Sequence, residues 1–247
     1  MKEVYLVTGA SRGIGRSLSL ELANSGFTVI GLSRQSSELE SLGDELKSID
    51  SNSTIIACDI ASFRDIEFAS KEIISNFSHL DGIIHNAGII DPIQPMSDAS
   101  IENWNHLIQV NLIGVQNLTQ KLYTLMTGNN RTRVTTISSG ASKYPIGSWS
   151  AYCVSKAGLD MWTRCLAEEG HEHNISAISV APGIVDTNMQ ENIRSSNPDE
   201  FPLHPHFVDY HETGQLVDPD IVAKQLLTLV TTHEMEQTGV RFDVREL

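Results

Sequence analysis

Tyr152 and Lys156 stand four residues apart in the run Ser150-Ala151-Tyr152-Cys153-Val154-Ser155-Lys156. On a helix that spacing puts a phenol and an ammonium on one face, one turn apart. A free tyrosine ionises near pH ~10. A neighbouring ammonium favours the phenolate and draws that value down. The pair suits a proton shuttle to or from a reacting oxygen. Many helices produce the same spacing by chance, so the pair needs a site around it.

The start of the chain offers one. Val4 to Gly15 reads as a β-branched run that breaks into Gly9, Gly13 and Gly15. Gly9 would allow a tight turn. Gly13 and Gly15 would let a pyrophosphate approach the backbone and let a helix pack closely on a strand. The N-terminus of that helix would add free N–H groups and a partial positive charge. The spacing is G-x-x-x-G-x-G, not the ordinary G-x-G-x-x-G. A P-loop is excluded because Ala10 and Arg16 stand where it needs glycine and lysine. A plain glycine-rich turn has the same composition. Placement between a first strand and a first helix favours a dinucleotide. The second strand ends Gly31-Leu32-Ser33-Arg34. An acid there would hold a ribose 2′-hydroxyl. Ser33 is neutral, and Arg34 with Arg12 could neutralise a 2′-phosphate, so the reading is NADP(H).

A phenol at residue 152 can serve a turn at residue 9 only if the fold brings them together. Strand-like runs at 3–8, 28–32, 53–58, 82–85, 133–137, 175–180 and 239–244 alternate with helical stretches. Several are continuous apolar runs, the pattern of strands buried on both faces. Ser155, Leu159, Trp162 and Leu166 recur at three or four residues and mark one helix face. The alternation predicts an α/β fold: a doubly wound parallel sheet of the Rossmann type, about seven strands with helices on both faces. Ligands bind such a sheet beyond the carboxyl ends of its strands. No linker or repeat divides the chain, which predicts one catalytic domain over residues 1–247. Residues 188–220 hold four prolines and three histidines and read as a substrate-loop insertion, partly helical or mobile.

Further runs join these. They are Asn86-Ala87-Gly88, Asn111 within Val110-Asn111-Leu112, Ile137-Ser138-Ser139, and Ala181-Pro182-Gly183-Ile184-Val185-Asp186-Thr187. With the glycine turn and the tyrosine-lysine pair, in this order, the chain resembles the single-domain branch of the short-chain dehydrogenase/reductase family. The resemblance spans nearly the whole chain. It implies that Tyr152 protonates the nascent alkoxide. Lys156 would hold the nicotinamide ribose and lower the pKa of Tyr152. Ser139, thirteen residues before Tyr152, is favoured over Ser138 as donor to the substrate carbonyl. Asn111 would distort its helix and hold a water leading from Lys156 to solvent. For the coenzyme it implies Gly9, Ser11, Arg12, Gly13, Ile14 and Gly15 at the phosphates, and Ser33 and Arg34 at the 2′-position. Asp59 and Ile60 would meet the adenine, Asn86 and Ala87 would flank the adenosine ribose, and Gly88 would permit a close turn. Pro182, Gly183, Ile184, Val185 and Thr187 would line the nicotinamide, with Ile184 and Thr187 fixing its face and amide. Two local runs, Ser138 to Tyr152 and Ala181 to Gln190, are similar to benzil reductases, and the second also to sepiapterin reductases. In the latter an acid near the C-terminus anchors the pterin, and Asp243 falls at a similar position. Members commonly pair the helices that begin near Ile101 and Ser150, implying a homodimer or homotetramer.

Composition sets outer bounds. Acids number 31 against 17 bases, a net charge of −14 that disfavours nucleic acid and anionic membrane. No apolar run approaches the ~18 residues of a membrane span. No signal peptide is expected, and Cys58, Cys153 and Cys165 form no C-x-x-C pair, so reduced thiols in a cytoplasmic setting are expected. His171-Glu172-His173 and His204-Pro205-His206 lack the H-E-x-x-H spacing, so no metal is expected. Trp162 reads as core, while Trp149 could line the substrate pocket. The expected function is NADPH-dependent reduction of a ketone or 1,2-diketone, benzil- or sepiapterin-like, to an alcohol. The alternatives are an NAD-linked alcohol dehydrogenase and a non-catalytic NADP(H)-sensing protein.

Overall fold

The computed structural model describes residues 2–128 and 131–246. Seven strands form one sheet: β1 (Val4–Thr8), β2 (Thr28–Ser33), β3 (Thr54–Ala57), β4 (Gly82–His85), β5 (Thr132–Ile137), β6 (Ile175–Ala181) and β7 (Arg241–Asp243). Their spatial order is β3-β2-β1-β4-β5-β6-β7, and every neighbouring pair is parallel. The order reverses between β1 and β4, which opens a crevice at their carboxyl ends.

All seven strand-like runs of the sequence are strands: β1, β3 and β7 are shorter than expected, β2, β5 and β6 one residue longer, and β4 the same. The last is the most trimmed. Gly239 takes a positive φ of 77° before it, and Val244 begins a 3₁₀ turn after it.

The nine α-helices among the described residues cover both faces. They are α1 (Gly13–Asn24), α2 (Ser37–Ile49), α3 (Phe63–Asn76), α4 (Ile101–Ile108), α5 (Gly114–Met126), α6 (Ser150–Gly170), α7 (Asn188–Arg194), α8 (His204–Glu212) and α9 (Pro219–Thr232). β1 explains why its sequence lacks a polar face. Val4 and Leu6 pack with Ile66, Leu118 and Leu166 of α3, α5 and α6. Tyr5 and Val7 pack with Leu18, Leu42 and Leu226 of α1, α2 and α9. Successive side chains point to opposite faces, and both faces are dry.

Residues 188–220 are partly helical. They carry α7 and α8 and lead into α9, and a parallel bridge joins Val185 to Val217 at their root. A third apolar cluster beyond the strand ends holds them down, built on Ile93, Trp149, Tyr152, Ile193 and the fully buried Phe201. Burying a phenylalanine is worth about 1.5–3 kcal/mol. A proline-rich stretch keeps its shape here because apolar anchors pin it.

Candidate active site

Thr8 ends β1 at the crevice. Its hydroxyl accepts from the backbone N–H groups of Asn86 and Ala87, each at 3.0 Å. The Asn86 side chain donates back to the carbonyls of Thr8 at 2.9 Å and Gly9 at 3.3 Å. These bonds lock the glycine turn to the end of β4. Gly9 sits at φ +65°, and a Cβ there would lie 2.9 Å from the Ala87 Cα. At Gly15 a Cβ would lie 2.3 Å from the Gly9 carbonyl oxygen. Gly15 therefore serves the packing of α1 on the turn, while Gly13 (φ +54°) faces Thr187 across the crevice.

The crevice is a cleft of about 550 Å³. Of the residues expected at the coenzyme, Gly9, Ser11, Arg12, Gly13, Ile14, Ser33, Arg34, Asp59, Ile60, Asn86, Ala87, Gly88, Pro182 and Thr187 line it, together with Tyr152 and Lys156. Gly15, Gly183, Ile184 and Val185 do not stand on that wall. Gly183 takes φ +80° against the Arg245 stem, the Ile184 carbonyl accepts from Val217 N–H, and Val185 is buried in the core. They shape the segment that carries Pro182 and Thr187.

The wall suits an anionic dinucleotide. Serine or aspartate side chains cap the N-termini of α2, α3, α4 and α9. The first turn of α1 has neither a side-chain cap nor an acid, which leaves its N–H groups for a phosphate. Ser33 and Ser11 share a hydrogen bond of 3.0 Å at the end of β2, beside Arg12 and Arg34 on the wall. Glu38 also reaches the wall. Its carboxylate is held by the first turn of α2, accepting from Ser37 Oγ at 3.3 Å.

Helix α6 delivers both chemical groups. Tyr152 is buried, and its hydroxyl donates to Met189 Sδ of α7 at 3.8 Å. Burial pushes its pKa up to about 12, against a downward pull from the Ser139 hydroxyl beside it. The expected lowering by Lys156 is not what this arrangement produces. The Lys156 ammonium lies 5.7 Å from the phenol ring centroid and donates to the Ile137 carbonyl at 2.7 Å. Burial draws its own pKa down to about 8, and the charge of Asp160 opposes that fall. Desolvation is the largest cause of the shift in each group.

Ser139 Oγ also accepts from Ala141 N–H at 3.2 Å, which opens a 3₁₀ turn at Gly140–Ser142. Asn111 does distort its helix. Between α4 and α5 the backbone widens into a π turn, Gln109–Ile113. The widened turn lets the Asn111 side chain bond both backbone groups of Ile89, each at 2.9 Å, and Ser155 Oγ at 3.1 Å. A Cβ on Gly88 would come within 3.4 Å of Asn111 Oδ1 and 3.6 Å of Lys156 Nζ. Glycine there keeps the gap between amide and ammonium open.

Three features escaped sequence reasoning. Thr8 was legible only as a strand end. Ser138 is buried on the cleft wall with its hydroxyl unpartnered, whereas spacing favoured its neighbour. Met189 starts the insertion, and although it lies in the run Ala181 to Gln190, nothing in its residue type announced a contact with the phenol. Asp243 is engaged within the chain. Arg245 takes both its oxygens, at 2.8 and 2.6 Å, and holds its carboxyl down at about 2, away from the cleft wall. Trp149 is buried edge-on to Tyr152 and stacked on Phe201, so it backs the phenol. Trp162 packs on the core and donates to Gln116 at 2.7 Å. Among the described residues, no three His, Cys, Asp or Glu side chains converge as a metal site.

Comparison with known proteins bears on the family and the fold. Residues 3–198 match the family model described as short chain dehydrogenase. The chain is 35% identical to benzil reductase ((S)-benzoin forming) of Bacillus cereus, covering 95% of this chain and 96% of that protein. It is 30% identical to the NADPH-dependent pterin aldehyde reductase of Arabidopsis thaliana, over 74% of this chain and 75% of that one. Among solved structures, the KRED1-Pglu enzyme superposes with a TM-score of 0.87 at 31% identity, covering 97% of this chain and 100% of that chain.

Proposed function

The chain belongs to the short-chain dehydrogenase/reductase family, and on that premise we propose that it is an NADPH-dependent reductase of ketones and 1,2-diketones. One observation carries the reading: Tyr152 and Lys156 line the same cleft as the glycine turn. When bound, NADPH supplies the hydride to the carbonyl carbon. Tyr152 gives its proton to the carbonyl oxygen, and the product is an alcohol. Burial keeps that phenol protonated at neutral pH, which suits reduction. Ser139, whose hydroxyl lies beside the phenol, is the second donor to the oxygen as negative charge develops. Lys156 and the Asn111 amide flank the gap at Gly88, the route by which Tyr152 regains its proton. Arg12 and Arg34 favour the 2′-phosphate, and β2 ends without an acid. The relatives named as benzil and pterin aldehyde reductases support aromatic carbonyl substrates. Free thiols at Cys58, Cys153 and Cys165 suit a reducing cytoplasm. Ile101 of α4 and Val154 and Met161 of α6 are exposed apolar residues, which suits pairing with a second copy.

The test follows NADPH oxidation in the nicotinamide absorbance band with benzil, phenylpropanedione and sepiapterin. Turnover with NADPH is expected to exceed that with NADH, and Arg34→Ala to narrow the difference. Tyr152→Phe is expected to cut kcat by about 10²–10⁴-fold. A preference for NADH refutes the coenzyme assignment. Tight NADPH binding without turnover on a broad carbonyl panel refutes the enzyme and favours a sensor.

A further inference from the structure

Arg241, on the edge strand β7, does not line the cleft, yet it grips Ser139 and the helix that carries Tyr152 and Lys156. Its Nη2 donates to the Ser139 carbonyl at 3.0 Å, and its Nε donates to Asp160 Oδ2 at 3.2 Å. Both side chains of the ion pair are largely buried. A guanidinium is a planar fork whose donors keep fixed directions. One rigid group therefore ties the end of β5 to the middle of α6.

The first contact is not needed to close the local structure, and the second is the one partner of the Asp160 carboxylate among the described residues. The Ser139 carbonyl already accepts from Ser142 N–H at 3.1 Å and Ser142 Oγ at 2.9 Å. Asp160 is itself in the body of α6, and its second oxygen, Oδ1, is buried without a partner. Burying a carboxylate half-satisfied is costly. Its position accounts for the expense: Asp160 stands four residues after Lys156, one turn along the same helix face.

Resting on the function proposed above, we propose that Arg241 and Asp160 are a positioning pair. Arg241 fixes the Ser139 backbone, and with it the aim of the hydroxyl lying beside Tyr152. Asp160 sets a negative charge one turn from the Lys156 ammonium, whose neighbours include the Tyr152 ring, the Ile137 carbonyl and the gap at Gly88. The charge of Asp160 opposes the loss of the Lys156 proton that burial promotes.

The test compares Arg241→Met, Arg241→Lys, Asp160→Asn and the double variant Asp160→Asn/Arg241→Met. Readouts are thermal midpoint, NADPH affinity by fluorescence titration, and steady-state reduction of benzil. Each single variant is expected to lose about tenfold or more in kcat, with NADPH affinity held within about twofold. Arg241→Lys keeps the charge and the fold but not the fork, and is expected to stay slow. The double variant, relieved of its unpaired charge, is expected to regain the parent's thermal midpoint but not its kcat. Recovery of kcat together with the midpoint, or full activity in Arg241→Lys, overturns the pair as a positioning device. A parent inactive on every carbonyl overturns the proposed function and this inference with it; an active parent with equally active variants overturns the inference alone.

Discussion

A group that donates a proton at neutral pH must be holding one. Tyr152 does so because its hydroxyl is buried, and the phenolate would lose its hydration there. The ammonium beside it pays a desolvation penalty of its own, which brings its pKa to about 8. The sign of the pH effect follows from these two directions. Tyr152 stays protonated throughout the working range, so its own ionisation does not limit reduction there. Lys156 is charged below about pH 8 and loses its proton above it. The rate of reduction is therefore expected to be level up to that point and to fall as pH rises through it. Lys156→Met is expected to be slow at every pH and to lack the alkaline fall. A profile for the parent that rises through this range would contradict the assignment of the ammonium.

The elements convert sequence distance into these contacts. β1 and α1 meet at a turn so tight that Gly15 has no room for a methyl group; the obstacle is the Gly9 carbonyl, which cannot swing aside. Gly15→Ala is expected to lower stability by about 1–3 kcal/mol through overpacking. Weaker NADPH binding is expected to accompany the loss. Equilibrium denaturation with a coenzyme titration checks both, and an unchanged midpoint would show that the turn can yield. The π turn at Asn111 does a different task. Five residues widen where a regular helix would carry the amide past Ile89, so one side chain holds the loop after β4 and reaches α6. α7 and α8 sit over the phenol because Ile193 and Phe201 are sunk into the third cluster.

At the scale of the molecule, helices on both faces leave the sheet's carboxyl edge as the place where β1 to β6 present their ends to one cleft. The same helices leave an apolar surface outside. Val154 and Met161 are seven residues apart on α6 and more than half exposed, and Ile101 of α4 is more exposed still. Sedimentation or light scattering is expected to show a dimer or tetramer. Replacing Val154 and Met161 together by glutamate is expected to yield monomers with an intact fold. A monomeric parent would refute the pairing.

The sequence alone determined the order of elements, the glycine turn and the tyrosine-lysine pair. Each depends on neighbours in the chain: strand runs buried on two faces lose their polar alternation, and a helix turn fixes which residues share a face. Residues such as Gly13, Arg34 and Lys156 were legible because backbone approach and charge announce themselves in residue type. Tertiary structure alone decided the rest. It turned Asp243 toward Arg245, folded the proline-rich insertion down on Phe201, and brought Met189 to the phenol from 37 residues away. It also reversed the expected shift of Tyr152, because desolvation depends on everything packed around a group, and no spacing between two residues encodes that.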